Sequence, residues 1–212
     1  MTAANDSILV TPGSGATVAT HTVGSKEHQV VVLATDSGNL YSTAPTYVYS
    51  TGNQANAAAS RTTHLDLFNA TGSGVIVEVW GIYIIPTLTA VTGVGMTWEI
   101  AWSSTVGTGG TTKAGVLVDK NNAAISGSVT CRSKPTGGAT IGDVILWPNT
   151  SSEETNNYAT SASVLNHVAW ILGGAGPLQP IVIRENQGIK IDQTTNSSVG
   201  STNVVVITNQ HA

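Results

Sequence analysis

The chain has 212 residues, long enough for one β domain to bury a core of its own. Only 9% of its residues are charged, the net charge is -4, and the eight Lys and Arg never cluster, so nucleic-acid binding by counterion release has no patch to act through. The lone cysteine, Cys131, excludes an internal disulfide framework, and the start MTAANDSILVTPGSG has neither the basic leader nor the apolar stretch of a signal peptide, which predicts a chain made in a cytoplasm.

Short segments rich in Val, Ile, Trp and Tyr alternate with Gly, Ser, Thr, Asn and Pro clusters, the spacing of an all-β sandwich or barrel. The first sixty residues hold one compact strand, within 28-34, and a second at 46-50; the rest is polar, and they read as an extended arm (1-60) rather than an independent domain. Gln54 to Arg61, with its Ala run, predicts a short helical turn. Strands follow at 64-69 and 75-86. In Val75-Ile76-Val77-Glu78-Val79-Trp80-Gly81-Ile82-Tyr83-Ile84-Ile85 both parities are largely apolar, which predicts cover on both faces. One face is expected to be the core and the other, carrying Trp80, Ile82 and Ile84, a contact between subunits; Val75, Val77, Trp80, Ile82 and Ile84 are the candidate packing residues.

The strand at 95-104 alternates large apolar with small or polar residues through Thr97-Trp98-Glu99-Ile100-Ala101-Trp102-Ser103, predicting one buried and one wet face. Gly107-Thr108-Gly109-Gly110-Thr111 reads as a flexible loop, without the Lys and the strand-to-helix setting of a phosphate loop. Strands at 114-119, 126-132, 142-147 and 164-172 come next, with Trp147-Pro148-Asn149 ending its strand and Ser151-Ser152-Glu153-Glu154 resembling a helix start. The end of the chain predicts consecutive hairpins: 180-185 meets 188-193 through Glu185-Asn186-Gln187, and 202-208 follows; Ile189 and Ile191 alternate with Lys190 and Asp192.

Chemistry-bearing patterns are sparse. His21, His28, His64, His167 and His211 lack ligand spacing and read as surface or strand-end residues, Cys131 has no nearby histidine, and no nucleophile elbow occurs. Glu78 and Glu99 are the best pair of carboxylates, each more simply a charge on an outer face. Of Trp80, Trp98, Trp102, Trp147 and Trp170, four lie in strand-like apolar runs and are expected in the core; Trp147, near a loop, is the one expected to touch a partner. The expectation is a non-enzymatic protein that needs no cofactor or metal.

The opening Gly13-Ser14-Gly15-Ala16-Thr17-Val18-Ala19-Thr20 followed by His28-Gln29-Val30-Val31 is similar to the start of many tailed-bacteriophage virion proteins. His64-Leu65-Asp66-Leu67-Phe68-Asn69-Ala70-Thr71-Gly72-Ser73-Gly74, with the apolar strand after it, resembles the first core hairpin of a group of phage structural proteins, as does Pro180-Ile181-Val182-Ile183-Arg184-Glu185-Asn186-Gln187-Gly188-Ile189 near the C-terminus. The resemblance implies an antiparallel jelly-roll β-sandwich, here at 61-212, that decorates or cements a capsid as a homotrimer, with the major capsid protein as partner and the virion surface as location. It transfers no catalytic residues. On this reading the arm, with Val30, Val31 and Val32, and Trp147 meet the shell. A tail, neck or baseplate component and a carbohydrate-binding host-attachment module are the alternatives.

Overall fold

The computed structural model describes residues 19–23, 26–30, 45–59, 61–87, 95–120, 128–137, 141–152, 168–172, 179–195 and 200–211. Two compact units divide the chain, Met1–Thr43 and Ala44–Ala212. In the first, β1 (Ala19–Val23) and β2 (Lys26–Val30) form an antiparallel hairpin whose register sets His21 opposite His28 and Ala19 opposite Val30.

The second unit is an all-β sandwich of two antiparallel sheets, and no helix occurs among the described residues. Its strands are β3 (Thr46–Ser50), β4 (Gln54–Ala55), β5 (Thr62–Asn69), β6 (Ile76–Thr87), β7 (Gly95–Ser103), β8 (Thr111–Lys113), β9 (Val116–Leu117), β10 (Val129–Ser133), β11 (Ile141–Ser152), β12 (Val168–Ile171), β13 (Ile181–Ile183), β14 (Gln187–Gln193) and β15 (Ser201–His211). Sheet I runs β11-β7-β14-β5-β10-β8. Sheet II runs β12-β6-β15-β3-β9, with β13 continuing beside β12 along β6 and β4 continuing beside β3 along β15.

The pairing is nested. β3 and β4 pair with the last strand, β15; β5 pairs with β14; β6 pairs with β12 and β13; and β7 pairs with β11. Along the chain β8 to β10 interrupt this series and extend the sheets on one flank, β10 and β8 beyond β5 in sheet I and β9 beyond β3 in sheet II.

Nesting overturns three local expectations. β13 and β14 do not form a hairpin: β13 pairs with β6 in sheet II and β14 with β5 and β7 in sheet I, so Glu185-Asn186-Gln187 turns a corner between sheets, with Asn186 at φ +60°. β14 and β15 likewise lie in different sheets. The segment after β5 is a corner too, closed by Asn69, whose Nδ2 donates to the Val75 carbonyl at 2.6 Å, and by Glu185, which accepts from the Gly74 and Gly72 amides at 2.7 and 3.2 Å. Alternation tells which face of a strand is buried; it does not tell whether the next strand joins the same sheet.

The domain boundary also moves from residue 60 to Thr43/Ala44, because β3 and β4 complete sheet II against β15. Gln54–Ala55 is a strand instead of the start of a helical turn, and Ser151 and Ser152 end β11, with 153 and 154 outside the described residues.

The core lies between the sheets. Leu65, Leu67, Trp98, Ile100, Ile189 and Ile191 from sheet I meet Val77, Val79, Ile82, Ile84, Val204 and Val206 from sheet II, all fully buried. At roughly 1.5–3 kcal/mol per fully buried large apolar side chain, this interface is the main source of stability. Cys131 of β10 is buried and free, its thiol pushed up to about 12 by loss of solvent.

Candidate functional site

Each sheet has an outer face, and the two differ. That of sheet I is covered by the chain itself. Asp66 on β5 stands opposite both Lys190 on β14 and Arg132 on β10, and Asp192 stands opposite Glu99 on β7. Asp66 and Asp192 are fully buried and Lys190 and Glu99 nearly so. Arg61, just before β5, pairs with Glu99 and, through Nε at 3.2 Å, with Asp192. The alternation of Trp98 with Glu99 predicts a wet face, but Glu99 is buried against Arg61, and two loops cover Asp66 and Lys190 beside it.

The first of these loops contains Gly107-Thr108-Gly109-Gly110, expected to be flexible, and it is built in. The Gly107 amide donates to Asp66 Oδ2 at 2.8 Å, Thr108 bridges to Gly137, and Arg132 Nη1 donates to the Gly109 carbonyl at 3.1 Å. Gly110 sits at φ +64°, and a Cβ there would lie 2.3 Å from the Ser133 carbonyl oxygen, so only glycine fits. Beside the cap a polar cleft of about 260 Å³ is lined by Arg61, Thr62, Thr63, Pro135, Thr136, Gly137 and Lys190.

Burial sets the charge states here. It pushes the Asp66 carboxyl up to about 6, against the lowering pull of the Gly107 amide, Lys190 and Arg132. It pushes His64 down to about 4 despite the contact of Nε2 with Gln193 Oε1 at 3.1 Å. His64 is fully buried, edge-on to Trp98 at 4.8 Å, and so is neither a surface nor a strand-end residue. It stands at an irregularity where β5 holds one residue more than β14, between the pairs Ile191–Leu65 and Asp192–Thr63. Nothing in its local sequence distinguishes that bulge from regular strand.

The outer face of sheet II carries a different surface. β6 and β15 pair through Ile207 with Gly81 and Thr208 with Val79, leaving Trp80 as an extra residue. This bulge switches the inward parity of β6 from Val77 and Val79 to Ile82 and Ile84, so all four face the core. The expected subunit contact is thereby corrected: Val75, Val77, Ile82 and Ile84 are buried within the chain, and only Trp80 of the five lies outside the core, half-buried, donating from Nε1 to Glu78 Oε2 at 3.3 Å. Both parities looked apolar because one apolar face changes phase. The signal was Gly81, a glycine inside a strand; a Cβ there would sit 3.2 Å from the Tyr83 ring.

The register then lays out two uncharged rows across sheet II. Val116, Val48, Ile207, Gly81 and Ile171 are successive neighbours from β9 through β3, β15 and β6 to β12. Ser50, Val205, Tyr83 and Ala169 form the next row. Val116 and Ile171, at the ends, are exposed; Val48, Val205 and Ile207 are half-buried. Glu78 and His211, 3.2 Å apart, lie toward one end of the same face.

Glu78 and Glu99 are thus on opposite outer faces of the sandwich and do not share a cleft. Trp98 is fully buried and Trp102 and Trp170 pack against the core, as expected. Trp147 does not end its strand: it lies within β11, in the irregular stretch between the Leu146–Ile100 and Asn149–Trp98 pairs, where Pro148 is accommodated on an edge strand. Val30 ends β2, and Val31 and Val32 lie outside the described residues. Among the described residues no group of three or more His, Cys, Asp or Glu is placed to hold a metal, and no helix is long and apolar enough to cross a membrane. The chain matches no protein-family model, no curated protein and no solved structure.

Proposed function

We propose that this chain is a structural, non-enzymatic virion protein of a tailed phage, a decoration protein that cements the capsid by bridging subunits of the major capsid protein as a homotrimer. The observation that carries the reading is the outer face of sheet II, where the row from Val116 to Ile171 crosses five strands without a charged side chain. That row carries no acid, base or nucleophile and suits contact with another protein surface. The nested pairing supports reading the sandwich as a jelly roll, in which a long hairpin is wound so that first and last strands lie together.

The carbohydrate-binding alternative loses ground: three of the four tryptophans whose side chains are described belong to the core, which leaves Trp80 without a neighbouring indole on its face. Electron microscopy of labelled particles tests the proposal. The expected result is density on the outer surface of the head and copurification with tailless heads. Label confined to the tail, neck or baseplate would replace the cement role with the tail-structural one.

A further inference from the structure

We infer that the polar cleft beside the cap of sheet I is a binding site for a small hydroxylated carboxylate, of the size and chemistry of one sugar-acid unit. The cleft is on the sheet opposite the uncharged rows, and the inference does not depend on the capsid reading.

The ionised residues of the wall are Arg61 and Lys190, and no Asp or Glu among the described residues lines it. Neither cation can accept a hydrogen bond, so the charged part of the wall offers donors alone and calls for an oxyanion. Arg61 is held ready for one. Its Nη2 and Nε engage Glu99 and Asp192, which fixes the plane of the guanidinium, while Nη1 has no partner among the described residues and the side chain is 33% exposed. The carboxylates behind the wall thus orient the cation before any ligand arrives, which lowers the cost of binding.

Size and the remaining lining restrict the class further. A cleft of about 260 Å³ has room for roughly eight or nine waters at about 30 Å³ each, more than a bare carboxylate or phosphate fills and close to one six-membered ring with its substituents. Thr62, Thr63 and Thr136 bring hydroxyls that both donate and accept, as ring hydroxyls require, and Pro135 brings an apolar surface for ring C–H groups. Charge and hydroxyls do the recognising here, in place of the stacked indoles that a tryptophan-based sugar module would use.

The wall is also preformed. The turn from Pro135 to Gly137 is bound at Thr108, whose carbonyl accepts from the Thr136 and Gly137 amides at 2.9 and 3.4 Å and whose amide donates to the Gly137 carbonyl at 2.6 Å. Immediately before the turn, Lys134 is held at φ +47°, its amide donating to the His64 carbonyl at 3.1 Å and its Nζ to the Ala55 carbonyl. A left-handed residue other than glycine persists only where its surroundings over-determine it, and such residues cluster at ligand sites.

Saturation-transfer NMR on the full chain tests the site with sodium glucuronate, galacturonate and N-acetylneuraminate, against glucose, galactose and acetate. At least one of the three acids is expected to bind saturably, with the neutral sugars and acetate weaker by about tenfold, and its binding should weaken as salt is added. Arg61 and Lys190 also face buried carboxylates, so the wall is altered elsewhere. Gly137→Gln adds a side chain to the wall at a position where a Cβ meets Thr108 Oγ1 at 3.6 Å, an ordinary contact, and Thr63→Val removes a hydroxyl while keeping the β-branched shape. Each is expected to weaken binding of the acid by about fivefold with thermal unfolding unchanged. Neutral sugars or acetate binding as tightly as the acids, no binding of any of the three acids at millimolar concentration, or binding unchanged in both variants would overturn the inference.

Discussion

The two outer faces are built on strands of similar composition and end in opposite states. On sheet I, Asp66 and Lys190 lie under the loop around Gly107 and the turn at Pro135, Asp192 and Glu99 lie against Arg61, and the charges have partners within the chain. On sheet II no loop among the described residues roofs the row from Val116 to Ile171, and the face carries few charges among those residues. A covered face can hold ions because their partners are fixed in place, and its integrity is a matter of folding. An open face meets other molecules, and a neutral one does so without desolvating an ion. The comparison therefore predicts that substitutions on sheet I register in stability and those on sheet II in association.

The largest effect is expected from breaking the covered cluster. Lys190→Met removes the cation opposite Asp66 while keeping the length of the side chain, and leaves buried carboxylates without it. A loss of about 3–5 kcal/mol is expected in urea unfolding at pH 8. Adding Asp66→Leu should recover most of it, since a buried ion pair exchanged for apolar groups is close to neutral. Equal stability of the single variant and wild type would show that the cluster contributes no compensation.

Titration gives the next largest signal and has a sign for each group. His64, with its folded pKa lowered to about 4, contributes stability that is full above about 6.5 and lost as pH falls through 4. Asp66, raised to about 6 from 3.8, does the opposite: its contribution is full below 3.8 and lost as pH rises through 6. Each amounts to about 3 kcal/mol, so in wild type the two nearly cancel between pH 4 and 6.5. His64→Gln is expected to make stability rise as pH falls across that window, and Asp66→Asn to make it fall. Parallel profiles for the two variants would contradict the burial of one group or the other.

A smaller cost, about 2 kcal/mol, is expected for Gly110→Ala, which forces a side chain into a left-handed backbone position and against the Ser133 carbonyl. Thermal unfolding measures it, and amide exchange at Gly107 should quicken if this loop closes the roof over Asp66.

How much of this was legible in the sequence follows from what alternation encodes. The strands at 46-50, 64-69, 95-104 and 188-193 lie where large apolar residues alternate with small or polar ones, and the structure has strands there because burial on one side imposes that period. What escaped was non-local. The roof over Asp66 and Lys190 comes from segments 41 to 83 residues away along the chain, too far for any window to couple them. The phase change at Trp80–Gly81 was written in the sequence as a glycine between two apolar pairs, but a bulge and a doubly covered strand give the same pattern until the register with β15 is known. The corner at Glu185–Gln187 has the residues of a hairpin turn, and only the partners of β13 and β14 show that it joins two sheets.

The sharpest test of the comparison uses adjacent residues of β15. Val206 faces the core and is fully buried; Ile207 faces outward, half-buried, between Val48 and Gly81. Val206→Thr puts a hydroxyl into the core and should cost about 2 kcal/mol. Ile207→Thr keeps the β-branched shape that suits a strand and should cost under about 1 kcal/mol in the unfolding of the single chain. If the open face is a contact surface, this smaller perturbation is nevertheless the one that lowers binding to purified heads in cosedimentation. A Val206→Thr protein that still folds should bind them as wild type does. Binding lost equally in both would mean that association reads the stability of the sandwich and not its outer face.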